Sequence, residues 1–426
     1  MMAALHSPAP WAGLLRQTRE ARWTLIGQVV ASGGNFAASV LLVRAMGLEG
    51  FGRYSLCFIA LMILRNLLGA VLLTPLALIG PRLRNTSLTA FRGLARALAL
   101  CLGAVGSLTL FAGFALLAQA DGYAWAAQVA LPLALANLLG TLADFLRRHL
   151  LVFERARAAS AQDVLRHATQ IGAIAVLILS ASEMTEIEAL WALCLGSSAS
   201  VAFGLALFGR ATLRPRFARS LGPKLWDLAR WQLPTTLLET VQGNAPLLIA
   251  GFILGDGALG LLRALQQVTN LLALPFNALS QIAPSIAARS HARLGVHGLR
   301  RALLRLSLGT VGLFALAMAA LLALWPVLSA RWMQIDVPRG SAELLLYCLL
   351  NLIVLLRLPL TSWTLALGRP QVITRATAFG TVCSIGVTLV LLSPLGAVAA
   401  VLGQIAGALG AMIGTALAAP RPEAAS

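Results

Sequence analysis

Acidic residues are scarce in this chain of 426 residues: Asp and Glu total 15 against 33 Lys and Arg, a formal net charge of +18. Lysine is almost missing as well. The only one, Lys224, follows Pro223 rather than a glycine-rich loop, which excludes a Walker-type nucleotide phosphate cradle. The five histidines show no HExxH or other ligand spacing. The five cysteines, Cys57, Cys101, Cys194, Cys348 and Cys383, all fall inside apolar runs, where a thiol packs as a small hydrophobe. No disulfide framework, metal site or cofactor is implied by these patterns. Charged residues make up only 11% of the chain, and the polar stretches are too short to house a soluble catalytic domain. Enzymatic chemistry is therefore not expected.

Hydrophobic residues, by contrast, make up 59%. A helix needs about 20 apolar residues to cross a hydrocarbon layer of about 30 Å. Windows of that length mark twelve spans, near residues 23–45, 54–79, 94–118, 125–148, 165–181, 189–209, 231–254, 261–286, 304–325, 344–367, 376–392 and 397–418. The fourth can extend past Arg147 and Arg148, because Leu150 to Phe153 are again apolar, and the fifth and eleventh are short. The fold class read from this pattern is an all-α polytopic membrane protein.

Short cytoplasmic loops retain Arg and Lys, which orients the spans. With the N-terminus inside, that side carries Arg16, Arg19 and Arg22, Arg147 to Arg166, Arg210 to Lys224, Arg289 to Arg305, and Arg369 with Arg375. The opposite side has only Arg53, Arg263, Arg331 and Arg339, together with acids such as Glu49, Glu186 and Asp256. Both termini are thus expected in the cytoplasm. The arginines sit in short inter-span loops with no aromatic-interleaved face, so anionic membrane lipid suits them and nucleic acid does not. Residues 1–22 read as a cytoplasmic N-terminal segment with a short interfacial helix and no cleaved signal. The domain plan that follows is an N-lobe at 23–209, a basic cytoplasmic linker at 210–230, a C-lobe at 231–418 and a cytoplasmic tail at 419–426.

An internal repeat supports the two lobes. In the first span Gln28, Ser32, Asn35 and Ser39 fall on one helical face, and Thr235, Glu239, Gln242 and Pro246 occupy the same spacing 207 positions later. The next turn, Gly47-Leu-Glu-Gly-Phe-Gly52, matches Gly255-Asp-Gly-Ala-Leu-Gly260 at a shift of 208. In the eighth span Gln266, Asn270, Asn277 and Gln281 line one face, whose counterpart in the second span includes Arg65. Two pseudo-symmetric six-helix bundles related along the membrane normal would bring spans 1, 2, 7 and 8 to a central cavity.

Small and amide side chains at these positions also serve as ordinary glue between membrane helices. Charges carry more weight, since an ionised group near the bilayer centre costs at least about 3 kcal/mol even on the lenient insertion scale. Arg65 lies about 18 Å from the outer end of its span, counting about 1.5 Å per residue, and Arg357 is similarly deep in the tenth span. Both are candidate cavity cations, with an internal structural pair as the rival reading. Arg44, near the end of the first span, either snorkels or reaches the cavity. Glu239 is the one carboxylate inside a span of the C-lobe, and either couples transport to an ion or pairs with an arginine. Asp144 is placed to pair with Arg148 or Arg147. The candidate substrate residues are accordingly Arg65, Arg357, Asn35, Gln242, Asn270, Asn277 and Arg44. A cavity with buried guanidinium groups and few acids attracts an anion, and guanidinium grips phosphate oxygens bidentately.

The opening Gly27-Gln-Val-Val-Ala-Ser-Gly-Gly-Asn-Phe36, the turn Gly47-Leu-Glu-Gly-Phe-Gly-Arg-Tyr-Ser-Leu56 and Asp144-Phe-Leu-Arg-Arg148 resemble the polysaccharide transporter, or Wzx-like, branch of the multidrug/oligosaccharidyl-lipid/polysaccharide (MOP) exporter superfamily. The resemblance covers nearly the whole sequence. It implies a V-shaped, twelve-helix flippase of the bacterial inner membrane that moves an undecaprenyl-pyrophosphate oligosaccharide from inner to outer leaflet by alternating access. Such a protein would work in O-antigen, capsule or exopolysaccharide synthesis beside a glycan polymerase and export proteins. By position, Arg65 and Arg44 would be cavity cations, and Glu239 would occupy a polar region of the seventh helix. The chain departs from a lipid II flippase in lacking two extra C-terminal helices, and from a cation-coupled drug exporter in having no acid in its first span. A drug or metabolite antiporter of the same superfamily and a non-transporting scaffold of a polysaccharide assembly complex are the competing expectations.

Overall fold

The computed structural model describes residues 10–80, 83, 85–180, 184–273, 298, 304, 307–366 and 369–418, and no strand occurs among them. The helices are α1 (Pro10–Leu68), α2 (Thr74–Ile79), α3 (Asn85–Leu117), α4 (Trp125–Val152), α5 (Ala156–Ser180), α6 (Glu186–Phe208), α7 (Pro215–Leu254), α8 (Asp256–Thr269), α9 (Ser307–Met333), α10 (Ala342–Ala366), α11 (Pro370–Leu395) and α12 (Val398–Ala418). A π-helical turn at Gly69–Leu73 joins α1 to α2, and a 3-10 turn at Asn270–Ala273 follows α8.

Ten apolar runs among the described residues are long enough to cross a membrane. The first, Arg22–Ala77, contains both the first and second expected spans. It is broken where Gly47 takes φ 67° and ψ −175°, a conformation that a side chain disfavours and glycine does not. The eighth expected span begins in α8 and continues beyond Ala273 outside the described residues, as does Asn277. The fold is thus an all-α polytopic membrane fold of the expected count. Large apolar side chains such as Val105, Leu108, Leu179, Val390 and Leu417 are more than 60% exposed, which suits lipid rather than water.

Several helices are longer than hydropathy alone suggests, α4, α5 and α7 among them. α4 continues through the arginine pair to Val152, and α7 starts in the basic linker at Pro215. α5 begins at Ala156, nine residues before its apolar window, because its polar first turns are satisfied inside the protein. Ser160 Oγ donates to Trp23 O at 2.5 Å, and buried Gln162 donates to Ala143 O, Ser200 O and Ser200 Oγ within 3.2 Å. A hydropathy window scores those side chains as polar, although these hydrogen bonds are made within the protein.

The chain forms two compact units. One lies within Met1–Asn35, Leu72–Ala173 and Trp191–Leu225, and the other within Phe36–Val71, Ile174–Leu190 and Trp226–Ser426. In the first, α3 meets α4 through polar glue: Asn137 Nδ2 donates to Gly103 O at 3.1 Å and Ser107 Oγ to Ala134 O at 2.7 Å. In the second, α11 and α12 approach so closely that a Cβ at Gly380 would stand 2.4 Å from Gly407 O. Small residues at Gly403, Gly407, Gly410 and Gly414 recur on the facing side of α12, the pattern that lets membrane helices pack backbone to backbone. Gly380→Val is expected to lower the thermal unfolding temperature in detergent, at a cost of about 1–3 kcal/mol from overpacking. Gly386→Ala on the same helix, where nothing lies within 4 Å, is the matched substitution expected to leave it unchanged.

Candidate functional site

The repeat seen in the sequence becomes a reciprocal contact in the second unit. Gly47 and Gly255, 208 positions apart, both take positive φ (67° and 95°) with extended ψ. Each precedes a helix whose glycine five residues on meets the other turn. A Cβ at Gly52 would lie 1.9 Å from Asp256 O, and a Cβ at Gly260 would lie 1.9 Å from Leu48 O. Residues 48 and 256, like 52 and 260, differ by the same 208 positions, so the two turns touch as pseudo-symmetric equals. This contact draws the second arm of α1 onto the later half of the chain. Beside it, Arg53 gathers three acids: Nε lies 3.0 Å from Asp256 Oδ2, Nη2 lies 2.8 Å from Glu49 Oε1 and Nη1 lies 3.9 Å from Glu186 Oε1. Sequence spacing placed Glu49 one turn from Arg53 but left Glu186 and Asp256 in separate loops.

Farther along α1, Asn66 Nδ2 donates to Thr240 Oγ1 at 3.1 Å and so bonds α1 directly to α7. Their chain neighbours are Arg65, which is half-buried, and Glu239, which is exposed. Glu239 feels the charge of Arg357 on α10, whose Nη2 donates to Thr377 Oγ1 of α11 at 2.8 Å. Pro359, two residues after Arg357, removes a backbone donor inside α10, and the π-helical turn begins three residues after Asn66. Both are irregularities of the kind that mark functional stretches of membrane helices. Glu239 and Arg357 thus interact between α7 and α10 beside the Asn66–Thr240 bond, and Arg65 adjoins Asn66 in the chain. Asn66, Thr240 and Thr377 were not singled out from the sequence, since each reads as ordinary polar glue until its partner on another helix is known.

The remaining candidates lie elsewhere. Gln242 is 8% exposed and faces Gly407 of α12, while its carbonyl accepts from Ser384 Oγ at 3.2 Å, so it belongs to the packed α7–α11–α12 face. Gln404 Nε2 reinforces that face by donating to Gly243 O at 2.6 Å. Asn270 is exposed at the start of the 3-10 turn, and Arg44 is exposed on the first arm of α1. Asn35 is exposed and belongs to the first unit.

That first unit contains its own charged cluster. Arg166 Nη1 pairs with Asp144 Oδ1 at 2.8 Å, a partner on α5 that spacing along α4 does not reveal. Arg147 Nε instead donates to both oxygens of Asp163 at 2.7 and 2.8 Å. Both pairs bridge α4 and α5 rather than successive turns of α4. Asp163, ahead of the expected fifth span at 165–181, lies inside α5. Both acids are already neutralised by arginine. Among the described residues no group of three His, Cys, Asp or Glu is placed to hold a metal ion.

The described helices, with their two kinked turns, form a polytopic all-α fold. Comparison with solved structures sharpens this. An inward-facing multidrug-resistance MATE transporter of the MOP superfamily superposes with a TM-score of 0.77 at 16% identity, over 93% of this chain and 95% of that one. A MOP superfamily transporter from Pyrococcus furiosus, described as having a binding pocket of reverse polarity that suggests a different function, gives 0.69 at 16% identity over 96% of both chains. An outward-facing MATE transporter gives 0.66 at 17% identity, again over 96% of both chains. The fold is that of the MATE transporters of the MOP superfamily. No protein-family profile matches the sequence, and no curated protein matches it.

Proposed function

We propose that this protein is a flippase that moves a polyprenyl-pyrophosphate-linked oligosaccharide from the inner to the outer leaflet of a bacterial inner membrane, with both termini in the cytoplasm. The observation that supports the reading is the interaction of Glu239 with Arg357 beside the Asn66–Thr240 bond, with a second arginine, Arg65, next to Asn66 in the chain. An excess of guanidinium lowers the barrier for a pyrophosphate, whose unassisted transfer into hydrocarbon costs on the order of tens of kcal/mol. The acids of the first unit give no competing anionic site, because Asp144 and Asp163 are held by Arg166 and Arg147. Rocking of an N-lobe (23–209) against a C-lobe (231–418) would expose this level to each side in turn, with Glu239 carrying the coupling ion. A glycan polymerase and export proteins are the partners such a step requires.

The second reading is a drug antiporter, favoured by the likeness to multidrug MATE structures. The discriminating experiment offers reconstituted protein either a fluorescent polyprenyl-pyrophosphate glycan or a lipophilic cation, with and without a proton gradient. For the flippase, glycolipid crosses, Arg65→Ala slows it at least about tenfold, the loss of about 1.4 kcal/mol of anion stabilisation, and Glu239→Gln flattens the gradient dependence. Movement of the cation alone, insensitive to Arg65→Ala, would replace this reading with the antiporter.

A further inference from the structure

We infer that a cleft on the arginine-rich face of the first unit binds a phosphate group, carried by an anionic lipid headgroup or by a free phosphate. The cleft encloses about 800 Å³ between the start of α3 and the start of α7, and its polar lining is Ser87, Arg214, Arg216, Arg219 and Ser220. That volume falls within the usual range for small-ligand sites, about 300–1,000 Å³.

Its walls are pinned to one another. Gly209, at φ 79°, turns the chain out of α6, after which Thr212 N donates to Thr89 O at 3.0 Å. The linker then lies so close to α3 that a Cβ at Gly93 would stand 2.3 Å from Thr212 O. This contact holds Arg214 opposite Ser87, rather than leaving the basic segment as a loose tether. The three arginines line this one cleft and are solvent-exposed, no lining residue is acidic, and none of the three makes an ion pair among the described residues. The nearest acid along the chain, Asp227, is taken by Arg230 at 3.2 Å.

Like charges gathered at one cleft repel unless an anion sits between them, and guanidinium with hydroxyl donors is the donor set for phosphate oxygens. Basic pockets between membrane helices on the cytoplasmic side are where anionic headgroups bind. The site is separate from the Arg65 level and does not depend on what that level transports.

The test uses the purified, delipidated full chain with phosphatidylglycerol, phosphatidylcholine or inorganic phosphate as probes, and reads bound ligand by native mass spectrometry and affinity by titration. The Arg214→Gln/Arg216→Gln/Arg219→Gln variant is expected to bind phosphatidylglycerol at least about tenfold more weakly. Ser87→Glu, which keeps all three arginines but places a carboxylate in the cleft, is expected to reproduce the loss and guards against misfolding of the triple variant. The charge-matched variant Arg22→Gln/Arg369→Gln/Arg375→Gln is expected to bind like wild type. Displacement of the lipid by inorganic phosphate at equal concentration identifies a soluble phosphate as the ligand, and persistence of the lipid identifies the headgroup. Unchanged binding in the cleft variants, or equal loss in the charge-matched variant, overturns the site.

Discussion

Gly52→Val and Gly260→Val are each expected to pull the two kinked turns apart and to stop transport. A side-chain carbon at either position would stand 1.9 Å from a backbone oxygen of the other turn, Asp256 O or Leu48 O. Ordinary contact needs about 3.5 Å, so one helix has to shift by about 1.5 Å. No rotamer change relieves a clash with backbone, which puts the cost at or above the usual overpacking range of about 1–3 kcal/mol. The shift also removes Asp256 from its 3.0 Å contact with Arg53. If closing this end is one half of the transport cycle, a loss of that size lowers the closed population about ten- to a hundredfold. Transport rate and thermal unfolding are the paired measurements. Gly257→Ala lies in the same turn with nothing within 4 Å and is expected to be silent. Full activity in Gly52→Val would show that the contact opens without consequence.

Arg147→Ala is expected to destabilise the first unit by about 3–5 kcal/mol, the cost of stranding a buried charge. The side chain of Asp163 is only 6% exposed and both its oxygens accept from Arg147 Nε, whereas Arg147 itself keeps 29% exposure. The asymmetry predicts a smaller loss for Asp163→Asn, because the arginine left behind can extend to water. Replacing both residues by leucine is expected to recover most of the stability, since a well-packed apolar pair rivals a buried ion pair. Denaturant titration in mild detergent compares the four proteins. A cost below about 1 kcal/mol for Arg147→Ala would mean the pair behaves as a surface salt bridge.

Much of this architecture was legible without coordinates. The apolar windows located the spans because hydrocarbon admits few alternatives to a helix that satisfies its own backbone, and that constraint acts residue by residue. The Gly47 and Gly255 turns were legible for a similar reason, since a repeated glycine at a shift of 208 signals a repeated backbone conformation. The depth of Arg65 and Arg357 followed from counting along a helix.

The start of α5 was not legible, because Gln162 and Asp163 look like loop residues until Ser200 and Arg147 are found against them. Nor was the partner of Asp144, for which local spacing offered Arg148 and the fold supplied Arg166. The amides divided in the same way: sequence put Gln242 on a polar face and did not mark Asn66, and only packing sent Gln242 toward Gly407 and Asn66 toward Thr240. Hydropathy, chain direction and turn geometry are properties of contiguous residues, so the sequence alone determined the membrane class, the number of spans and the internal repeat. Which arginine meets which carboxylate, and which polar side chain is glue, depends on distances between helices far apart in the chain, and those the folded structure decided.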